Sequence, residues 1–238
     1  MALDELLGEH AAHTGDSMLR VYGWAQPTLS FGRNQTALGV YEPGRLLERD
    51  IATVRRPTGG RALLHHREVT YCVAAPIAGG SLRSSYFDIN RMLCDGLRRL
   101  GVNAHISTRS GRAPSPGPLP CFDAPVAGEL TVDGRKLVGS AQWRGEHAFL
   151  QHGSILVADD QSLLPSLASV PIPIVPPPAT LTDLLGRAPD LAEVAEALFA
   201  AVREHVREAV RVEPGDLRLE GLELVAKRYR DESWTWRR

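Results

Sequence analysis

The sequence predicts a mixed α/β or α+β domain, and three observations carry that prediction. Short β-branched and aromatic runs at residues 68–75 and 136–143 have strand character. Residues 84–100 carry Ile89, Leu93, Leu97 and Leu100 as an apolar stripe at helical spacing. Strands lead and helices are interspersed among them, with no internal repeat.

Residues 2–12 form a helix, because Leu3, Leu6, Leu7 and Ala11 recur on one face. Residues 17–24 form a strand with Leu19 and Val21 on one side, and Pro27 and Gly32 punctuate the segment beyond it. A helix over 43–50 opens on Pro43, and a strand over 51–55 runs into Pro57-Thr58-Gly59-Gly60. The strand 68–75 is closed by Pro76, and the helix 84–100 is stopped by Gly101. After a short strand at 105–107, residues 109–120 are rich in Gly, Pro, Ser and Arg and read as a mobile loop. Strands 129–132 and 136–143 join at Asp133-Gly134, a hairpin signal, and a strand over 147–157 comes next. A proline-rich crossing over 165–178 leads to helices at 191–210 and 219–229, with Trp234 and Trp236 beyond.

With 238 residues, 43% of them hydrophobic and 23% charged, one domain spanning 1–238 is the expectation. A formal charge of −1 directs the chain to neither nucleic acid nor membrane. The acidic N-terminal residues do not form a secretory leader, and no apolar run is long enough to span a bilayer. The three cysteines, Cys72, Cys94 and Cys121, have no disulfide or metal spacing, so reduced thiols in the cytoplasm are expected.

Several residues bear chemistry. Gly59-Gly60, within Arg55-Arg56-Pro57-Thr58-Gly59-Gly60-Arg61, is either a tight turn or a loop that lets a ligand approach the backbone. It lacks the features of a Walker loop or a dinucleotide fingerprint. Cys121 stands at a loop edge, where it is either structural or an accessible nucleophile. Cys72 in a strand and Cys94 in a helix read as core thiols. Lys136 alone reads as a surface lysine after a hairpin. His65 and His66 face opposite sides of their strand, and nothing joins them with His152 into a metal site.

Taken together, four blocks change these readings. They are Trp24-Ala25-Gln26-Pro27-Thr28-Leu29-Ser30-Phe31-Gly32, the segment from Arg55 through Gly59-Gly60 to His65, Gly134-Arg135-Lys136-Leu137-Val138-Gly139-Ser140-Ala141-Gln142, and Leu150-Gln151-His152-Gly153-Ser154. In this order and spacing they resemble the biotin/lipoate A/B protein ligase family. Cys121-Phe122-Asp123 followed by the strand starting at Lys136 is similar to the cysteine-dependent octanoyltransferases within it. The resemblance implies a central mixed sheet flanked by helices, of the biotin/lipoate protein ligase catalytic-domain type. It also implies octanoyl transfer in lipoate biosynthesis. The donor is an octanoyl-acyl carrier protein bearing phosphopantetheine, and the acceptor is a lysine of the glycine cleavage H protein or a lipoyl domain. No ATP, other cofactor or metal is expected.

By the same resemblance Cys121 is the nucleophile and Lys136 the cation that favours its thiolate. Gly59, Gly60 and their neighbours line an acyl tunnel. His65, Gln142, His152, Gly153 and Ser154 frame the reacting carbonyl or the pantetheine entry, and Arg56, Thr58, Gly139 and Ser140 complete the substrate-binding set. Three departures stand out. Met1-Ala2-Leu3-Asp4-Glu5 begins where relatives have already formed a strand, Val126-Ala127-Gly128 replaces an expected serine and aromatic, and Trp143 replaces a small polar residue, with consequences for acyl-chain or acceptor preference. Arg56, Arg61, Arg67, Arg109, Arg112 and Arg135 are either solvated side chains or a basic rim for acidic carrier proteins. Rival readings are an ATP-dependent lipoate-protein ligase, a lipoyl amidotransferase acting between lipoyl domains, and a non-enzymatic carrier-binding protein.

Overall fold

The computed structural model describes residues 1–77, 79–108, 121–122, 127–217 and 219–238. The loop expected over 109–120 therefore lies outside the described residues, as do Arg109, Arg112 and Val126. Helix α1 (Ala2–Thr14) ends at Gly15, whose left-handed φ of 81° caps it. Strands β1 (Met18–Tyr22) and β2 (Thr28–Phe31) precede helix α2 (Pro43–Leu47), and then come β3 (Ala52–Arg55), β4 (Leu63–His65) and β5 (Glu68–Pro76). Helix α3 (Leu82–Arg99) is capped by the Ser81 hydroxyl, which accepts from the Ser84 amide. Strands β6 (His105–Ile106), β7 (Leu130–Val132), β8 (Arg135–Arg144) and β9 (Ala148–Leu156) come after it. The chain then runs through helices α4 (Leu164–Leu167), α5 (Leu181–Leu185), α6 (Leu191–His205), α7 (Leu222–Arg230) and α8 (Glu232–Thr235).

Among the described residues the strands form a six-stranded sheet, ordered β1-β5-β9-β8-β7-β6, and a three-stranded sheet, ordered β3-β2-β4. Every pairing in the large sheet is antiparallel, and the parallel pairing joins β2 to β3 in the small one. The β7–β8 hairpin turns at Asp133 and Gly134, both with positive φ, as the Asp-Gly pair predicts. One face of the large sheet carries the main core, where Tyr71, Leu130, Leu137 and Ile155 pack with Leu93 and Leu97 of α3 and Val194 and Leu198 of α6. Gly96 makes the close packing of α3 on α6 possible, since a methyl there would stand 2.6 Å from the Leu198 side chain. On the opposite face, Leu7 and Ala11 of α1 pack with Cys72, Ala74 and Leu150. The small sheet has its own core, in which Leu29 and Phe31 meet Leu164, Leu167 and the partly buried Trp236.

The structure adds elements to the sequence reading. Strands β2 and β4 build the second sheet, although residues 27–32 read only as punctuation. Helix α6 stops at His205 because Val206 turns to φ −133°, and Val206 and Val210 are exposed. Helix α7 begins at Leu222 behind Gly221, three residues later than expected. Among the described residues no helix is long and apolar enough to cross a membrane.

A buried arginine locks the small sheet to the C-terminal segment. Arg55, the last residue of β3, has no exposed surface. Its Nη1 donates to the carbonyls of Gly32 and Gln35, both at 2.7 Å, and its Nε to the carbonyl of Thr235 at 2.9 Å. Trp234 Nε1 returns a bond to the Arg55 carbonyl at 3.0 Å. The planar guanidinium satisfies several carbonyls at once, which an ammonium cannot match in geometry.

Candidate active site

A cavity of about 360 Å³ lies between β8 and β9 of the large sheet and the glycine turn between β3 and β4. That volume falls within the range of ~300–1,000 Å³ usual for small-molecule sites. Its wall includes Cys121, Lys136, Arg56, Gly59, Gly60, His65, Gly139, Ser140, Gln142, His152, Gly153 and Ser154. Thr58 alone of the candidate residues is absent from the wall. It is fully buried behind it, with Oγ1 2.6 Å from His152 Nε2. Trp143 is not on the wall either. It packs against the α1 face of the sheet, so it has no direct bearing on what fills the cavity.

Cys121 is half-buried, and its amide donates to the Ala62 carbonyl at 3.0 Å, which fixes it beside the approach to β4. Lys136, second in β8 and opposite Thr131 of β7, points its stem along the same wall. Its Nζ lies 3.7 Å from Cys121 Sγ and donates to the Cys121 carbonyl at 2.7 Å and to Glu129 Oε1 at 2.6 Å. The Phe122 ring lies below the ammonium, 4.8 Å from Nζ to the ring centre. Gly139 leaves room for both groups, because a methyl there would be 3.1 Å from Lys136 Cε and from Phe122 Cζ. A cation so placed stabilises negative charge on the sulfur.

Two polar networks hold the remaining wall. In the first, His65 Nδ1 is 2.8 Å from Glu68 Oε1 and its Nε2 is 2.6 Å from Ser30 Oγ. Glu68 Oε1 also accepts from Ser154 at 2.9 Å and Thr70 at 2.5 Å, and Trp24 stacks on the His65 ring. Arg56 donates to Ser30 Oγ and to the carbonyls of Gly59 and Arg61, which shapes the glycine turn from inside. Burial lowers the Arg56 pKa, while negative charge at Cys121 and Glu68 opposes that shift. In the second network His152 lies between Thr58 and the fully buried Asp4, with Nδ1 3.5 Å from Asp4 Oδ2. Asp4 accepts in turn from Arg20 at 2.5 Å and Tyr22 at 2.8 Å. Burial lowers the His152 pKa, while the neighbouring Asp4 carboxylate opposes that shift.

Glycines matter here through space. At Gly32 a methyl would come 2.0 Å from the Gly60 carbonyl oxygen, and at Gly153 it would come 2.4 Å from the Gly139 oxygen. Both sites bring backbone against backbone, and no side chain fits between.

Of the arginines weighed as a basic rim, Arg56 and Arg61 are buried in the cavity wall. Arg67 pairs with Asp160, and Arg135 lies 3.9 Å from Asp183, so these four do not form a free basic surface. Cys72 and Cys94 are core thiols, as their sequence context suggests. Among the described residues no group of three or more His, Cys, Asp or Glu side chains is arranged to hold a metal. Sequence reasoning missed Glu129, Asp4, Glu68 and Ser30. Asp4 in a first helical turn looks like a solvated acid favoured by the helix dipole, and nothing local marks it as buried.

The family profile of the lipoyl protein ligase A/B catalytic domain matches residues 1–203. Octanoyltransferase LipM of Kyrpidia tusciae is 39% identical to this chain, in an alignment covering 100% of the chain and 94% of that protein. Octanoyltransferase LipM of Symbiobacterium thermophilum is 36% identical, over 100% of the chain and 93% of that protein. A crystal structure of lipoate-protein ligase A bound with ATP superposes with a TM-score of 0.79 at 23% identity, covering 99% of this chain and 92% of that one. A bi-partite lipoate protein ligase from Thermoplasma acidophilum gives a TM-score of 0.77 at 22% identity, covering 99% and 89%. At such identities these two structures speak for the fold.

Proposed function

The chain belongs to the lipoyl protein ligase A/B catalytic-domain family, and from that premise we propose that it is an octanoyltransferase of lipoate biosynthesis that carries the acyl group on Cys121. The observation that carries the site assignment is the Cys121 sulfur 3.7 Å from the Lys136 ammonium, on the wall of the cavity. The donor is octanoyl-acyl carrier protein, and the acceptor is a lysine of the glycine cleavage H protein or of a lipoyl domain.

The chemistry needs no ATP, because a thioester is already activated. In the first half-reaction the Cys121 thiolate attacks the octanoyl carbonyl. A new carbon–sulfur bond forms, the bond to pantetheine sulfur breaks, and that sulfur leaves as a thiolate and takes up a proton. In the second, the neutral amine of the acceptor lysine attacks. The carbon–nitrogen bond forms, Cys121 sulfur leaves with the electron pair, and the nitrogen loses a proton. Thioester exchange is nearly isoenergetic and amide formation is downhill, so the relay runs forward. Burying the acyl chain contributes about 0.8 kcal/mol per methylene before ordering costs, enough to select chain length.

The decisive experiment is intact-mass analysis after mixing the protein with octanoyl-acyl carrier protein, with and without ATP. The expected result is one octanoyl group on Cys121 without ATP, removed by neutral hydroxylamine and transferred to apo H protein. A requirement for ATP with free octanoate or lipoate would replace this reading with that of a ligase.

A further inference from the structure

We propose that Glu129 is a positioning residue that keeps Lys136 protonated and in place for the second half-reaction, once acylation has removed the thiolate charge from Cys121. The proposal rests on the reading of Cys121 as the acyl carrier.

The Lys136 and Glu129 side chains are 3% and 7% exposed, and their ion pair is 2.6 Å long. A buried ammonium that loses its counter-charge tends to shed its proton. The sulfur can act as that counter-charge only while it is a thiolate. Once the octanoyl group is attached, the sulfur is neutral and offers Lys136 nothing. The Glu129 carboxylate is no party to the acyl exchange, and its ion pair with the ammonium does not depend on the state of the sulfur. Lys136 therefore remains a cation in the acyl-enzyme, 3.7 Å from the sulfur that must leave as an anion when the amine attacks.

The same carboxylate has an opposite effect on the resting enzyme. It shares one ammonium with the sulfur, and at 2.6 Å against 3.7 Å it holds the nearer position. Glu129 thus favours the second half-reaction and restrains the first. Other groups face the same space. Arg56 is within electrostatic reach of the sulfur, Tyr71 and Tyr86 are within reach of Glu129, and Arg61, His65 and His152 lie on the cavity wall. All are common to wild type and a Glu129 variant, as is the acceptor amine, so a ratio of the two rates isolates the pair.

Glu129→Gln keeps the size and a hydrogen-bonding oxygen and removes the charge, and three readouts test its effect. Loading from octanoyl-acyl carrier protein should stay within about threefold of wild type or rise, whereas transfer from pre-loaded enzyme to apo H protein should fall about tenfold or more, the equivalent of one pKa unit. The variant-to-wild-type ratio of transfer rates should climb as pH is lowered from about 9 to about 6, because Lys136 regains its proton. Alkylation of Cys121 by iodoacetamide should quicken, since the sulfur no longer competes for the ammonium. Glu129→Asp, which keeps the charge but draws it back, should show the same changes to a smaller degree, and it is read in place of Glu129→Gln if the latter does not fold. An equal fall in both half-reactions with a pH-independent ratio would mark a merely structural role and overturn the proposal, as would no change in either. The alkylation arm needs no substrate. If wild-type protein takes no octanoyl group, the functional reading fails, and alkylation still decides whether Glu129 competes for Lys136.

Discussion

Gly32→Ala tests whether backbone contact sets the cavity wall. The added methyl would stand 2.0 Å from the Gly60 carbonyl oxygen and 2.8 Å from its carbon, whereas ordinary contact begins near 3.4 Å. The turn must retreat by more than about 1 Å, because Gly32 cannot move while its carbonyl is held by Arg55. Gly32 has no positive φ, so alanine is conformationally tolerated and the effect is purely steric. Overpacking of this kind costs about 1–3 kcal/mol, which for a domain of this size lowers Tm by about 2–4 °C per kcal/mol. Activity should suffer more, since displacing a substrate-contacting element by about 1 Å can cost about a hundredfold. Single-turnover loading from octanoyl-acyl carrier protein, followed by intact mass, measures the rate, and thermal unfolding measures the stability. Gly8→Ala is the control. Apart from the adjoining backbone of its own helix no atom lies within 4 Å of the added methyl, and α1 should gain about 0.5–1 kcal/mol. A Gly32→Ala protein that loads at the wild-type rate would refute the claim that this contact shapes the wall.

Further expectations concern charge and thiols. Lys136→Ala should slow loading by about tenfold or more by removing the cation beside the sulfur, and raising the pH should restore part of the rate by ionising the thiol directly; a pH-independent defect would argue for another role. Burial, reinforced by Asp4, holds the Cys72 thiol well above its ordinary pKa, and burial pushes Cys94 up to about 11, so mass mapping after limited iodoacetamide treatment should find Cys121 labelled first. Cys72→Ala should cost about 1 kcal/mol of stability and leave transfer nearly intact. Burial alone would raise the Asp4 pKa, but the N-terminal ammonium, His152 and Arg20 outweigh it and hold the carboxyl well below the usual range. A depressed folded-state pKa gives stability that is present above the unfolded value and lost as pH falls towards the folded one. Asp4→Asn should therefore lower Tm clearly at neutral pH, and the gap to wild type should close below about pH 4, the unfolded carboxyl value; a gap independent of pH would show that ionisation is not the source.

Legibility in the sequence depended on the kind of signal each segment carries. The β7–β8 hairpin was readable because Asp133-Gly134 supplies the two positive-φ residues that a tight turn needs. The α3 stripe was readable because one helix face is buried and the other is not. Strand β2 was not, because all four of its residues are buried, and a strand covered on both faces has no alternation to detect. In residues 191–210 the valines at spacing four imitate a longer stripe, yet Val206 and Val210 face solvent. At the site, Cys121 and Lys136 were legible only in combination with motifs elsewhere in the chain. Glu129 escaped notice because it meets Lys136 across a hairpin with a register shift between Leu130 and Thr131, which strict alternation does not anticipate.

The Arg55 lock has a consequence for how the protein is made. Its partner carbonyl at Thr235 lies 180 residues further along the chain. A ribosome releases the chain from its N-terminal end, so residues 232–235 emerge after both sheets have been synthesised. Closing so long a loop is entropically costly and slow, and contacts of this span form late. The nascent chain can thus pair most of its strands, with Arg55 already held by the carbonyls of Gly32 and Gln35, while Arg55 Nε waits for the Thr235 carbonyl.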